Sequence, residues 1–174
     1  MVLTVSRHVV GNERLTRWFL ENGANANFGK VGSTLLDVAA ANATTEVFDL
    51  LVAHGARIED CDALHSAAGE REDKPGRVTM LTHLLDTGFN VNAIGRRDYP
   101  PGRRIGRGTP LHAAMAPQQT DRIDLLLLRG ADMGVKNTLG QTPLEYAISK
   151  GFGRSENFLR SAMGLEGSKS GATV

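Results

Sequence analysis

Residues 109–132 read Thr109-Pro110-Leu111-His112-Ala113-Ala114-Met115-Ala116-Pro117-Gln118-Gln119-Thr120-Asp121-Arg122-Ile123-Asp124-Leu125-Leu126-Leu127-Leu128-Arg129-Gly130-Ala131-Asp132, and this stretch decides the fold. Thr109 before Pro110 is a helix start. The Thr hydroxyl can accept an orphan backbone N–H, and Pro at the first helical position loses no hydrogen bond. Leu111, Ala114 and Met115 then share one face, with alanines small enough for close approach of a neighbour. A second helix around Ile123, Leu126 and Leu127 ends at Gly130, which suits a left-handed terminal turn. Residues 131–140, rich in turn formers, are expected to project as a hairpin-like finger.

Working outward, the same two phrases recur. The opening phrase returns at Thr34-Leu35-Leu36-Asp37, Asp62-Ala63-Leu64-His65 and Thr142-Pro143-Leu144-Glu145, and the closing phrase at 48–55, 81–88 and, N-terminally, 15–27. Thr109 to Thr142 is 33 residues, and Leu36 to Gly55 equals Leu111 to Gly130 at 19. A unit of this kind cannot bury both helix faces alone, so stability must come from stacking.

These residues resemble the ankyrin repeat family, whose unit is about 33 residues with a Thr-Pro-Leu-His-x-Ala opening. The resemblance covers about residues 3–163 and implies an all-α solenoid of stacked helix–turn–helix units with β-hairpin-like fingers. Five units are expected, at about 1–32, 33–60, 61–107, 108–140 and 141–163, with 164–174 a disordered tail. The irregular units look like those of divergent members such as fungal ones.

The irregularities individualise the chain. Gly55 to Asp62 spans 7 residues where Gly130 to Thr142 spans 12, so the second finger is truncated, with Asp62 as a replacement cap. The excess charged stretch 70–77 is expected to be a solvated loop. Gly88 to Thr109 spans 21 residues and carries Arg96, Arg97, Arg103, Arg104 and Arg107 around Tyr99, predicting a long basic finger. Ser155–Met163 places Phe158, Leu159 and Met163 at helical spacing, with Arg160 and Ser161 exposed, as in a capping helix. Val2, Leu3, Val5, Val9 and Val10 read as a degenerate first unit or the continuation of a longer array.

The chain has 174 residues, 41% hydrophobic and 22% charged, with net charge +1, which provides for an ordinary core and argues against general polyanion binding. No apolar run reaches the roughly 18 residues of a membrane span, and the start lacks a signal-peptide pattern, so an intracellular protein, cytoplasmic or nuclear, is expected. One cysteine, Cys61, excludes an internal disulfide.

Chemistry-bearing motifs are sparse. His65 and His112 sit in the repeat phrase, and neither they nor His54 and His83 show metal-ligand spacing, so no metal is expected. Cys61 and His65, four apart at a helix start, could be read as nucleophile and base, but no oxyanion element accompanies them. Gly102–Gly108 lacks the Gly-Lys-Ser/Thr ending of a phosphate loop. No catalytic residue and no cofactor are expected.

By resemblance, the function is binding another protein, as a monomer, through finger tips and inner helices. The residues expected to touch it are Asn27, Phe28 and Lys30 in the first finger, and Ala116 and Pro117 beside the third inner helix. The long finger adds Arg96, Arg97, Tyr99, Arg103, Arg104 and Arg107, which suit an acidic partner segment, and the last finger adds Thr138, Leu139 and Gln141. A structural role within a larger protein, and nucleic-acid binding through the arginines, are the alternatives.

Overall fold

The structure, a computed structural model, describes residues 8–30, 33–70, 76–95, 107–116 and 119–165. Among them, helix α1 (Glu13–Glu21) precedes four helix pairs: α2 (Leu35–Asn42) with α3 (Thr45–Ala53), α4 (Ala63–Gly69) with α5 (Arg77–Asp86), α6 (Pro110–Ala114) with α7 (Thr120–Leu128), and α8 (Pro143–Lys150) with α9 (Gly153–Ala162). The first members stack as one layer, α2 on α4 on α6 on α8, and α1, α3, α5, α7 and α9 stack as a second. This is an all-α repeat solenoid. The expected first inner helix and the tail fall largely on residues 1–7 and 166–174, outside the described residues, as does most of the 70–77 stretch.

Close approach of the inner helices follows from their alanines. Ala39, Ala40, Ala63, Ala67, Ala68, Ala114 and Ala147 are fully buried, interleaved with Leu36, Leu64 and Leu111, while Phe48, Leu51, Met80, Leu81, Leu84, Ile123, Leu126 and Leu159 fill the space between the layers. One core therefore runs along the stack.

The inner helices begin as their phrase dictates, with one variation. Thr34 and Thr142 accept the backbone N–H of Asp37 and Glu145, whose carboxylates accept the Thr N–H in return. At Thr109 the reciprocal acceptor is His112 Nδ1, 3.1 Å from the Thr109 nitrogen. Asp62 departs from its expected capping role. It holds the cap position of α4 without a side-chain cap bond, and its backbone N–H is donated instead to Asp37 Oδ1 at 2.6 Å. The cap is thereby exchanged for a bond to the preceding unit.

Outer helices end as expected. At Gly130, φ is +85°, a conformation costly for any residue with a Cβ, and it lets Gly130 N–H reach Leu127 and Ala131 N–H reach Leu126. The same pair of bonds recurs after α3 and α5, and closes α9 through Gly164 and Leu165. Within α9, Leu159 is buried as expected, but Met163 is exposed at the helix end and Arg160 is only half-exposed, paired with Glu156 at 2.8 Å.

Two buried arginines, which pattern reading passes over, tie the layers together. Arg77, opening α5, donates to the carbonyls of Ala40 and Ala43 at the end of α2. Arg122, in the first turn of α7, donates to those of Ala68 and Glu70 at the end of α4. Each satisfies helix-end carbonyls of the preceding unit that have no intrahelical partner. Ser155 Oγ does the same for Met115 at 2.9 Å.

Candidate functional site

The four connectors that follow Gly23, Gly55, Gly88 and Gly130 form the finger edge. Fingers one, three and four turn through an Asx bond: the side-chain oxygens of Asn25, Asn90 and Asp132 accept the N–H two residues on. Finger two has Arg57 at that place. It closes with a 3-10 turn (Ile58–Asp60), and Arg57 pairs with Asp60 at 2.9 Å. Finger one also carries a two-rung antiparallel ribbon, Gly29–Lys30 against Ser33–Thr34.

Asparagines bridge adjacent fingers. Asn27 donates to the Gly55 carbonyl at 2.7 Å and accepts from Arg57 N–H at 2.9 Å. Asn92 repeats this toward finger four, with the Gly130 carbonyl at 3.1 Å and Asp132 N–H at 2.8 Å. Both sit four residues after the helix-ending glycine. Asn27, expected as a contact residue, thus has its side chain engaged in the stack.

The phrase histidines hold the fingers to the inner helices. His112 Nε2 donates to the Gln141 carbonyl at 3.0 Å, while its Nδ1 serves Thr109, which fixes the Nε2–H tautomer. His65 Nε2 lies 3.0 Å from both the Ala93 and Gly108 carbonyls. Burial disfavours the charged ring and pushes both imidazoles below their ordinary pKa, the carbonyl bonds opposing this only in part. Asp37, at the same place in its unit, has its carboxyl pushed up by burial, against the bonds from Thr34 and Asp62. Cys61 is buried and its Sγ donates to the Ile58 carbonyl at 3.1 Å.

The long finger leaves and re-enters the described residues through a neck. Gly95 N–H donates to the Gly108 carbonyl at 2.9 Å, and a Cβ at Gly95 would come within 3.1 Å of the His65 ring. Arg107 and Thr138 exchange bonds, each backbone N–H being donated to the other residue at 2.8 Å. Arg107 is exposed, so the base of the long finger and the tip of the fourth form one surface. Arg96, Arg97, Tyr99, Arg103, Arg104 and Pro117 lie outside the described residues.

Of the remaining expected residues, Phe28 and Leu139 are exposed, at 52% and 48%, on the first and last fingers. Lys30 is placed by its backbone in the ribbon. Ala116 is half-buried beside the end of α6, and Gln141 is half-buried with its backbone N–H on Asn137. Ile58 and Ile94, which the sequence reading did not select, are exposed apolar residues on the second and third fingers. Among the described residues no group of side chains is arranged to hold a metal ion, and no helix is long and apolar enough to cross a membrane.

The sequence model described as Ankyrin repeat matches residues 108–138. Ankyrin repeat and SOCS box protein 6 of Pongo abelii is 31% identical over 142 residues, 76% of this chain and 32% of that protein. The chain belongs to the ankyrin repeat family. Two further relatives widen the range. XBAT35 of Arabidopsis thaliana, whose name proposes an E3 ubiquitin-protein ligase, is 37% identical over 108 residues, 54% of this chain and 22% of its own. Ankyrin repeat and SOCS box protein 16 of Mus musculus is 32% identical over 123 residues, 66% and 25% of the two chains. The chain spans about a third or less of these relatives. Ankyrin repeats are non-catalytic protein-interaction modules, and in this one the buried Asp37, Arg77, His112, Arg122 and Ser155 are engaged in the stacking bonds above.

Proposed function

We propose that this chain is a non-enzymatic interaction module that binds another protein along its finger edge and the adjoining inner helices. The observation that carries the reading is the row of apolar side chains left uncovered there, Phe28, Ile58, Ile94 and Leu139, one on each finger. Exposed apolar groups framed by polar ones favour association over solvation. Arg107 beside Thr138 and Leu139 brings a guanidinium to the same edge, which supports an acidic segment of the partner against the long finger.

The test is affinity capture with the intact chain, a Phe28→Ser/Leu139→Ser variant and a variant with Arg96, Arg97, Arg103, Arg104 and Arg107 all changed to Ser, each first shown folded by circular dichroism. Loss of a captured protein with the first variant places the site on the tips, and loss with the second adds the long finger. Capture undiminished in both removes the finger edge as the site. Oligonucleotide binding with a steep salt dependence would move the arginines to nucleic acid instead.

A second reading has its own observation. Because the chain spans about a third of its relatives and leaves Leu15 and Trp18 exposed on α1, these residues would face a further unit of a longer array in which this segment is structural. Concentration-dependent self-association that Trp18→Ser abolishes would favour it.

A further inference from the structure

The junction between fingers two and three differs from its neighbours. Fingers one and two are joined by Asn27, and fingers three and four by Asn92, each donating to one backbone carbonyl and accepting one N–H. Four residues after Gly55 the corresponding position is Glu59. A carboxylate can accept from finger three but has no N–H for the Gly88 carbonyl, so an Asn-type bridge cannot form. Finger two is also the short one. At this junction the structure opens a cleft of about 230 Å³, lined by Ile58, Glu59, Asp62, Gly88, Phe89 and Ile94 among others. That is below the roughly 300–1,000 Å³ of small-molecule pockets, and suits one or two side chains.

The lining has a definite chemistry. Ile58, Phe89 and Ile94 are apolar, and Glu59, Asp62 and the Gly88 carbonyl are acceptors. Of the donors nearby, Thr87 Oγ–H lies on the His83 and Leu84 carbonyls and His65 Nε2 on those of Ala93 and Gly108, while Asn90 adds a side-chain amide whose oxygen takes the Asn92 N–H. The guanidinium of Arg57 is paired with Asp60. An occupant that complements this cleft supplies an apolar side chain, backbone N–H groups and a cation.

We propose that the cleft between fingers two and three takes an extended segment of a partner protein, seating one aliphatic side chain between Ile58 and Ile94 with an adjacent Lys or Arg facing Glu59 and Asp62. The proposal rests on the finger edge being the binding surface and names the recognition chemistry at one place on it. The segment restores what Glu59 denies to the junction, a donor for finger three, and covers Phe89. Glu59 and Asp62 need not be free beforehand, since each carboxylate accepts several bonds.

The probe is three pools of synthetic hexapeptides, otherwise Ala, Gly and Ser, with a fixed Leu-Lys, Leu-Glu or Ala-Lys core, titrated into the ¹⁵N-labelled full chain. The Leu-Lys pool is expected to shift the amides of Gly88, Phe89 and Ile94, with the other two pools about tenfold weaker. Glu59→Asn, which supplies the missing amide, and Ile94→Ser, at an exposed position that does not threaten folding, should each weaken the Leu-Lys response by about tenfold. Equal response to all three pools, or a response indifferent to both variants, overturns the proposal. So does an Arg96→Ser/Arg97→Ser variant that shifts the same amides with no peptide present, since the chain's own segment would then hold the cleft. If Phe28→Ser/Leu139→Ser still loses a captured partner while the cleft stays silent, the cleft falls and the module reading stands.

Discussion

At the residue scale, one position of the repeat phrase performs one task with three chemistries. His65 and His112 reach the next unit by donating to a carbonyl, Asp37 by accepting an N–H, and Glu145, in the last unit described, only closes its own cap. The side chain thus matches whichever end of a peptide group the next unit presents. Replacing Asp37 with Asn turns an N–H₂ toward a donor, and is expected to cost about 1–3 kcal/mol in urea unfolding. His112→Ala should cost a similar amount. The pH dependence has a definite sign. Both buried imidazoles have folded pKa values below the unfolded value of about 6.5, so the unfolded chain takes up more protons below that pH. Their contribution is complete above about pH 6.5 and is lost as pH falls through it. The urea midpoint should drop between pH 7.5 and 5.5, and drop less in His112→Ala. Asp37 acts oppositely at lower pH, its raised carboxyl pKa making its contribution fall as pH rises through the raised value.

At the element scale, what holds one helix to the next is partly polar. Arg77→Ala would strand the carbonyls of Ala40 and Ala43, with an expected loss of about 3 kcal/mol, and Arg77→Lys would recover little because a single, strongly hydrated ammonium lacks the planar fork whose two nitrogens reach the two carbonyls. Thermal melts of the two variants check this. Gly108→Ala should be worse than Gly95→Ala. The added Cβ would lie 2.5 Å from the His112 ring in the first and 3.1 Å from His65 in the second, so the melting temperature should fall further for Gly108→Ala. The helices and their terminal glycines were legible in the sequence because they depend on local rules, such as Thr-Pro starts, a period of 3.6 and a left-handed Gly. The inter-unit bonds were not. Arg122 and Asn92 look like ordinary surface residues until the stack brings distant carbonyls to them, and a lone Arg in an outer helix carries no local sign that it is buried. Among the expected contact residues, exposure of Phe28 and Leu139 followed from their place in turns, whereas the engagement of Asn27 depended on a finger 28 residues away.

At the scale of the whole molecule, the main contacts among the described helices run within units and between neighbouring ones, so stability is a sum of units and junctions. The central units, with a neighbour on each side, should exchange their amide hydrogens most slowly. Protection is expected to be highest in α4 and α6 and to fall toward α1 and α9, which native-state hydrogen exchange would read directly. Uniform protection from α1 to α9 would mean that the array opens only as one piece. The neck of the long finger has a consequence at this scale. Among the described residues, the bonds from His65 to Ala93 and Gly108, from Gly95 to Gly108 and between Arg107 and Thr138 fasten it through backbone atoms of Ala93, Gly95, Arg107 and Gly108. None of these bonds draws on the side chain of any of those four residues, so the neck is a socket. Its cargo can be lengthened, shortened or exchanged in evolution, or grafted by design, while the units on either side keep their register.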